Sequence, residues 1–354
     1  MESVAFRPGG LNRYFAALCK EFERMPDWDT RVIRWSDHVT VKRAGVVGTA
    51  KRVVFYLRKG LDDRSEIVDS HFSFYGLAYI LGRSLSGRKS GYTFISHFHG
   101  PWYAESRIAK PRRLNSFKFK RLIEKFVYSR STIIVVLSEF FRDYLVEHFG
   151  VEGEKIHILK PGVDTEWFFY REFDKPRLSA TNLLAVRRLD ARMGLDVAIR
   201  ALPHMDPSAT LTIAGDGRER GSLEGLVSEL GLMGRVHFAG KVSDRQLVTL
   251  YQTHDATVVP SIALEGFGMV VLESLSCGTP VVASRLGGLV EALEEFDSSL
   301  LVDPGSPEAL ASRISAVVAS GAPTRESCRA FALSHEWSSV AKNHSDLYRA
   351  SRDG

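Results

Sequence analysis

The chain has 354 residues, 44% hydrophobic and 25% charged, a make-up that suits a soluble globular protein and, at roughly 100–200 residues per domain, predicts two domains. Three cysteines without paired spacing (Cys19, Cys277, Cys328) argue against a disulfide framework or a cysteine zinc site. No run reaches the roughly 20 apolar residues of a membrane span, and the first ten residues show no basic-then-apolar leader, so the expected location is the cytoplasm. The net charge of +5 is unevenly spread: residues 1–160 carry 28 basic against 17 acidic side chains (+11), and residues 161–354 carry 19 against 25 (−6). The first half is therefore expected either to carry solvated charge or to face an anionic partner: nucleic acid, an anionic membrane surface or a phosphorylated acceptor.

In chain order, a brief candidate strand over residues 3–6 leads into the glycine loop Arg7-Pro8-Gly9-Gly10 and a helical pattern over 11–25. Short β-branched runs follow at 30–35, 67–70, 92–97 and 132–137, with helical patterns over 115–128 and 138–149. A turn-rich segment at 160–168 and a polar stretch to Thr181 read as a linker, after which runs recur at 182–186, 209–214, 235–239, 256–260 and 280–284. Strands alternating with amphipathic stretches are the mark of βαβ units, so the fold class is α/β with two doubly wound parallel sheets. The expected division is 1–165, 166–335 and a C-terminal helix in 336–354 that packs back on the first domain.

The richest segment is PSIALEGFGMVVLESLSCGTP at residues 260–280. A strand ends at Val259, a loop carries Glu265, Gly266, Phe267 and Gly268, and a helix is predicted over about 269–276. Free amides at a helix start, approached through glycine, bind phosphate. Glu265 and Glu273 are eight residues apart, about 2.2 turns, so they do not stack on one helix face. With one in the loop and one on the helix, both can line one pocket and accept sugar hydroxyls. A lone glutamate is ordinarily a solvated surface group; two flanking a glycine loop at a strand's carboxyl end mark a site.

This segment resembles the E-x7-E signature of glycosyltransferase family 4, in the GT-B superfamily. Pro8-Gly9-Gly10, His97-Phe98-His99-Gly100, Pro161-Gly162-Val163-Asp164, Arg188-Leu189 with Gly194, Gly215-Asp216-Gly217 and the run Val236 to Val242 resemble further family segments, in family order. The resemblance implies two Rossmann-like domains facing across a cleft, the first binding the acceptor and the second the nucleotide-sugar. It implies a retaining glycosyltransferase that moves a hexose from a UDP- or GDP-sugar to a glycan, lipid-linked or small-molecule acceptor in cell-surface polysaccharide assembly.

Position by position, the resemblance gives Glu273 the ribose hydroxyls and Glu265 the transferred sugar. The amides of Gly266, Phe267 and Gly268 go to the sugar or diphosphate. Arg188 neutralises the leaving diphosphate, Gly9 and Gly10 form the loop that closes over the phosphates, and Val242 presents its backbone to the base. His99 lies near the reacting sugar, with His97 the buried, structural histidine. No metal is implied, because arginine and a helix end supply the charge, and no Asp-x-Asp motif occurs.

One departure stands out: Met193 occupies the usual lysine position before Gly194, and Arg187 or Arg192 is expected to replace that charge. A weakened enzyme or a non-catalytic nucleotide-sugar-binding subunit is the alternative that Met193 supports. An epimerase or phosphorylase on the same fold and a natural-product glycosyltransferase remain open too. Residues 51–59 and 110–130 interleave basic with apolar side chains. On a helix, Phe117, Leu122 and Phe126 would form an apolar side beside a basic one, suited either to burial or to a peripheral site on an anionic membrane. No nucleic-acid recognition module is present.

Overall fold

The computed structural model describes residues 10–34, 46–87, 91–109, 114–172 and 180–353. It divides into two compact units, Met1–Pro161 with Trp337–Gly354, and Gly162–Glu336. The candidate strand at 3–6 and residues 7–9 of the glycine loop lie outside the described residues.

The first unit begins with helices α1 (Gly10–Glu23) and α2 (Val46–Asp62), then β1 (Ile67–Ser70), α3 (Ser73–Leu85), β2 (Thr93–Phe98), α4 (Trp102–Ala109), α5 (Leu114–Arg130), β3 (Ile133–Val136), α6 (Glu139–Phe149) and β4 (Ile156–Ile158). The four strands pair in parallel in sequence order. Ile133–Val136 is apolar throughout and buried throughout, as a strand covered on both faces must be. Ser138 caps α6 by accepting from the Phe141 amide at 3.3 Å, and Gly150 ends it at φ 67°, a left-handed turn open to glycine. Phe98, Ile134, Phe141 and Leu145 form the centre of this core.

The run at 30–35 was expected to be a strand; its described part, residues 30–34, is not. Side chains hold it instead of a ladder: Val32 and Ile33 pack against the cluster around Phe15 and Tyr56, and the Arg34 guanidinium lies 5.6 Å from the Phe15 ring centre. The apolar side expected on α5 also differs. Phe117, Ile123 and Val127 face the core, whereas Leu122 is 64% exposed, beside Phe119 at 61%. Leu122 is one residue off the core-facing i, i+3, i+4 set and so points about 100° away.

The second unit runs β5 (Asn182–Val186), α7 (Leu195–Ala201), β6 (Thr210–Ala214), α8 (Arg220–Glu229), β7 (Val236–Gly240), α9 (Asp244–Thr253), β8 (Ala256–Val259), α10 (Met269–Ser276), β9 (Val281–Ser284), α11 (Gly288–Asp297), β10 (Leu301–Val302), α12 (Pro307–Ser320) and α13 (Arg325–Leu333). Its sheet has the order β10-β9-β8-β5-β6-β7, every pair parallel. From β5 the chain builds outward through β6 and β7, then returns to the other side of β5 as β8, β9 and β10. The winding thus reverses between β5 and β8. In open parallel sheets the crevice beyond the strand ends at such a reversal is where ligands bind.

The last helix, α14 (Trp337–Asp353), follows the second unit in sequence but belongs to the first. Tyr14 Oη and His344 Nε2 are 3.0 Å apart, and Trp28 Nε1 donates to Ser345 Oγ at 2.8 Å, fixing α14 against α1 and the turn after it. No helix among the described residues is long and apolar enough to cross a membrane.

Candidate functional site

In the second unit, both loops that leave the reversal point carry site residues predicted from sequence. Val186 ends β5 and Arg187 and Arg188 follow; Val259 ends β8 and the loop from Pro260 to Gly268 follows. Successive residues on extended chain point to opposite sides, and the two arginines do so. Arg187 is buried and its Nη2 donates to both Ser261 Oγ and Glu265 Oε2. Ser261 Oγ also donates to Glu265 Oε2 at 3.0 Å. Arg188 is exposed; its carbonyl accepts from the Asp190 amide at 2.9 Å, and its guanidinium has no hydrogen-bond or ion-pair partner among the described residues. Arg192 is buried, with Nη1 donating to the Leu264 carbonyl at 2.9 Å.

Burial alone would raise the Glu265 carboxyl, but the Arg187 charge, then Arg192 and the bonds from Arg187 and Ser261, hold it below its ordinary value. Glu265 is thus a carboxylate fixed in place before any ligand arrives. Leu264, beside it, sits at φ 51°, a conformation that costs a side-chain-bearing residue energy and is kept here by the bond its carbonyl accepts from Arg192.

Backbone approach holds the two loops together. The Ile262 amide donates to the Arg192 carbonyl at 2.9 Å. Gly194 has φ 64°, and a Cβ there would stand 1.9 Å from the Pro260 carbonyl oxygen, so only glycine permits the contact. Gly268 (φ 78°) opens α10 without a side-chain cap, which leaves first-turn amides available to an anion. The Phe267 side chain is buried, so this residue offers a ligand its backbone only. Gly266 sits in the same loop, its carbonyl 1.9 Å from where a Cβ on Gly288 would stand.

Glu273 lies buried on α10 and accepts from Tyr251 Oη at 3.0 Å. Val242 is half-buried at the rim of a shallow pocket shared with His237, Ala239, Gln246, Thr249 and Leu250, just before α9, the helix that carries Tyr251. Met193 is buried in the turn between Asp190 and Gly194.

In the first unit, Gly10 is the exposed first residue of α1, and Gly9 lies outside the described residues. His97 is buried near the end of β2 and His99 half-buried just past it. They do not stand alone. Asp69 and His71 come from the end of β1, in register with β2, and the His71 and His97 rings stack with centres 3.9 Å apart. His71 Nδ1 lies 3.1 Å from His99 Nε2. Asp69 places Oδ2 3.3 Å from His71 Nε2 and Oδ1 3.1 Å from His97 Nε2, and Tyr348 Oη donates to its Oδ2 at 2.5 Å.

Burial pushes His97 down to about 4 against the pull of Asp69, and it pushes His99 well below the ordinary imidazole value, with His71 and His97 adding to the effect. Burial would raise Asp69, but His97 and His71 hold it well below the usual carboxylate range. Asp69, His71, His344 and Tyr348 were not singled out from sequence. The one available signal was period-two spacing of polar residues, Asp69 with His71 and His97 with His99, at the ends of two predicted strands.

Similarity to known proteins extends over both units. A family profile described as Glycosyltransferase Family 4 matches residues 8–167, and one described as Glycosyl transferases group 1 matches residues 170–334. The glycogen synthase of Mycobacterium tuberculosis is 30% identical over 240 residues, covering 66% of this chain and 57% of that protein. The D-inositol 3-phosphate glycosyltransferase of Acidothermus cellulolyticus is 33% identical over 225 residues, 58% of this chain and 50% of that protein. The chain thus spans little more than half the length of these relatives. Among solved structures, a sucrose-phosphate synthase from Thermosynechococcus elongatus superposes with TM-score 0.79 at 23% identity over 98% of this chain and 94% of that one. Anabaena Alr3699/HepE in complex with UDP-glucose superposes with TM-score 0.68 at 20% identity, over 85% and 82%.

Proposed function

The chain belongs to the glycosyltransferases of the group 1 and family 4 type, with the GT-B fold, and from that premise we propose that it is a retaining hexosyltransferase using a UDP- or GDP-sugar. The observation that carries this reading is the carboxylate Glu265, held by Arg187 and Ser261 beside an uncapped helix start at the winding reversal of the second unit. A sugar needs fixed acceptors for its hydroxyls and a diphosphate needs amides and cations; this arrangement has both.

In this reading the donor rests on the second unit. Val242 faces the base across the shallow pocket, Glu273 accepts from the ribose, Glu265 accepts from the transferred sugar, and the amides from Gly266 to Gly268 meet the sugar or diphosphate. Arg188 brings an uncommitted positive charge to the leaving group, where negative charge grows in the transition state. Arg187 and Arg192 supply the charge that Met193 does not, while also fixing Glu265. The first unit, which carries His99 and Gly10, binds the acceptor hydroxyl.

The bond from C1 to the phosphate oxygen breaks and a bond from C1 to the acceptor oxygen forms on the same face. The acceptor's proton passes to the departing phosphate oxygen, so no separate base and no metal takes part. A glycan or lipid-linked acceptor in cell-surface polysaccharide assembly suits a cytoplasmic enzyme of this kind. The HepE structures with UDP and UDP-glucose support a nucleotide-sugar donor.

Two measurements test this. Proton NMR of the glycoside product should show the donor's anomeric configuration kept; the opposite anomer overturns the retaining assignment. Arg188→Ala should reduce sugar transfer by at least about 100-fold, the scale of losing a transition-state charge partner. Full turnover by Arg188→Ala removes that residue from the leaving-group site. Full turnover by a double Arg187→Ala, Arg192→Ala variant removes those two from the lysine's role.

A membrane surface as a further partner is favoured by one observation: α5 exposes Phe119 and Leu122 beside Lys118, Arg121 and Lys125. Vesicles rich in phosphatidylglycerol should sediment the protein and phosphatidylcholine vesicles should not. Equal behaviour with both lipids, or no change in Phe119→Glu, removes the proposal.

A further inference from the structure

Given a transferase in which His99 meets the reacting sugar, the reading on which this rests, we infer that Asp69 and His71 are positioning residues for His99. Together they set it as the neutral tautomer protonated on Nε2, so that its Nδ1 accepts a hydrogen bond from a substrate hydroxyl. His71 Nδ1 and His99 Nε2 lie 3.1 Å apart, a hydrogen-bond distance. One of the two nitrogens carries the shared proton and the other the lone pair.

Asp69 decides which. Its Oδ2 lies 3.3 Å from His71 Nε2, its Oδ1 lies 3.1 Å from His97 Nε2, and Tyr348 Oη donates to Oδ2 at 2.5 Å. An ionised carboxylate only accepts, so a ring nitrogen this close to it carries hydrogen; a lone pair there would meet negative charge. His71 and His97 are therefore both protonated on Nε2. Neutral His71 keeps its lone pair on Nδ1, and the shared proton belongs to His99 Nε2. The lone pair of His99 then sits on Nδ1, which has no hydrogen-bond partner among the described residues.

The neighbouring groups give His99 no other proton. His344 Nδ1 lies 2.7 Å from the Val340 carbonyl, which only accepts, so His344 Nε2 accepts from Tyr14 Oη at 3.0 Å. Tyr14 meets His99 only as a ring, at 74° with centres 4.9 Å apart. Tyr348 gives its hydrogen to Asp69 and has His97 Nε2 at 3.3 Å as a donor. Burial, with His71 and His97 adding to it, holds His99 well below the ordinary imidazole value, so Nδ1 stays unprotonated near neutral pH. A lone pair there accepts from O–H and repels the oxygens of phosphate or carboxylate, so the group that His99 reads is a hydroxyl of the sugar or acceptor. A carboxylate that fixes an imidazole tautomer without touching substrate works this way in hydrolase triads.

The test uses NMR of the full wild-type chain, its histidine ring nitrogens isotope-labelled, at about pH 8, where an ordinary imidazole is neutral. A nitrogen–nitrogen coupling across the hydrogen bond should join His99 Nε2 to His71 Nδ1, with the proton bonded to His99; His99→Gln assigns the resonances. In transfer assays His71→Leu should lower kcat/KM about tenfold, the scale of one buried hydrogen bond. His71→Asn, whose side-chain oxygen replaces Nδ1 as acceptor, should restore most of it. In a His99→Gln background His71→Leu should cost nothing further, since a positioning residue acts only through its partner. Circular dichroism matching wild type establishes that the variants are folded, and should His71→Leu not fold, the wild-type coupling decides. A proton bonded to His71 Nδ1, absence of the coupling, His71→Asn no better than His71→Leu, or losses of His71→Leu and His99→Gln that multiply would overturn the proposal. A wild type that transfers no sugar refutes the transferase reading alone, because the coupling still decides where the proton sits.

Discussion

Replacing Arg187 by methionine leaves the Glu265 carboxylate buried without its main cation. Removing one member of a buried ion pair typically costs about 3–5 kcal/mol, because the other charge stays desolvated. Arg192 and the Ser261 hydroxyl remain near Glu265, so the lower end, about 3 kcal/mol, is expected. That is a large share of the roughly 5–15 kcal/mol that holds a domain together.

The pH dependence should also reverse. In the wild type the native carboxyl titrates below its unfolded value, so Glu265 stabilises the fold above the unfolded value and the contribution disappears as pH falls through the native one. Without Arg187, burial dominates and the native carboxyl titrates above its unfolded value. The defect should then be largest at pH 7 and shrink as the medium becomes acidic enough to protonate Glu265. Urea-dependent hydrogen exchange of peptides from β5 and β8 reads this locally. A double Arg187→Met, Glu265→Gln variant should recover most of the loss. A defect below about 1 kcal/mol at pH 7, or one that is the same at pH 5, would refute the pairing argument.

Gly194→Ala should destabilise the second unit by upward of about 2 kcal/mol, since it adds a left-handed residue's strain to a collision with the Pro260 carbonyl; the same exchange experiment reads it. Glu124 is pushed up to about 7 by burial, despite the Trp102 and Tyr103 amides that donate to it. With a native value above the unfolded 4.5, its stabilising contribution is complete below that value and is lost as pH rises through about 7. The span corresponds to about 3 kcal/mol, and Glu124→Gln should flatten that part of the stability profile of the first unit. Ser243→Ala removes a side chain that caps α9 in a reciprocal bond with Gln246, and thermal unfolding should register a loss of about 1 kcal/mol.

The strands of both parallel sheets were readable where a β-branched run was long enough to show itself, as at Ile133–Val136 and Asn182–Val186. Ile156–Ile158 and Leu301–Val302 are too short to carry a pattern, and the run at 30–34 has strand-like composition but no ladder. The glycine loop with both glutamates was readable because it is contiguous. The partner of Glu265 was not: Arg187 lies 78 residues away, and only the sheet order brings the ends of β5 and β8 together. The histidine cluster was hidden for the same reason, since it joins β1, β2 and α14, with His344 stacked 5.4 Å from His97 across most of the chain's length.

A second unit that holds a nucleotide-sugar should release that sugar slowly to water. The most direct measurement is binding and hydrolysis of a panel of UDP-, GDP- and ADP-sugars by wild type beside Glu273→Ala. One donor should bind and slowly release its sugar, and the folded variant should lose both. Tight binding with no release to water or to any acceptor would point instead to a nucleotide-sugar-binding subunit, and full activity in Glu273→Ala would contradict the assignment of the site.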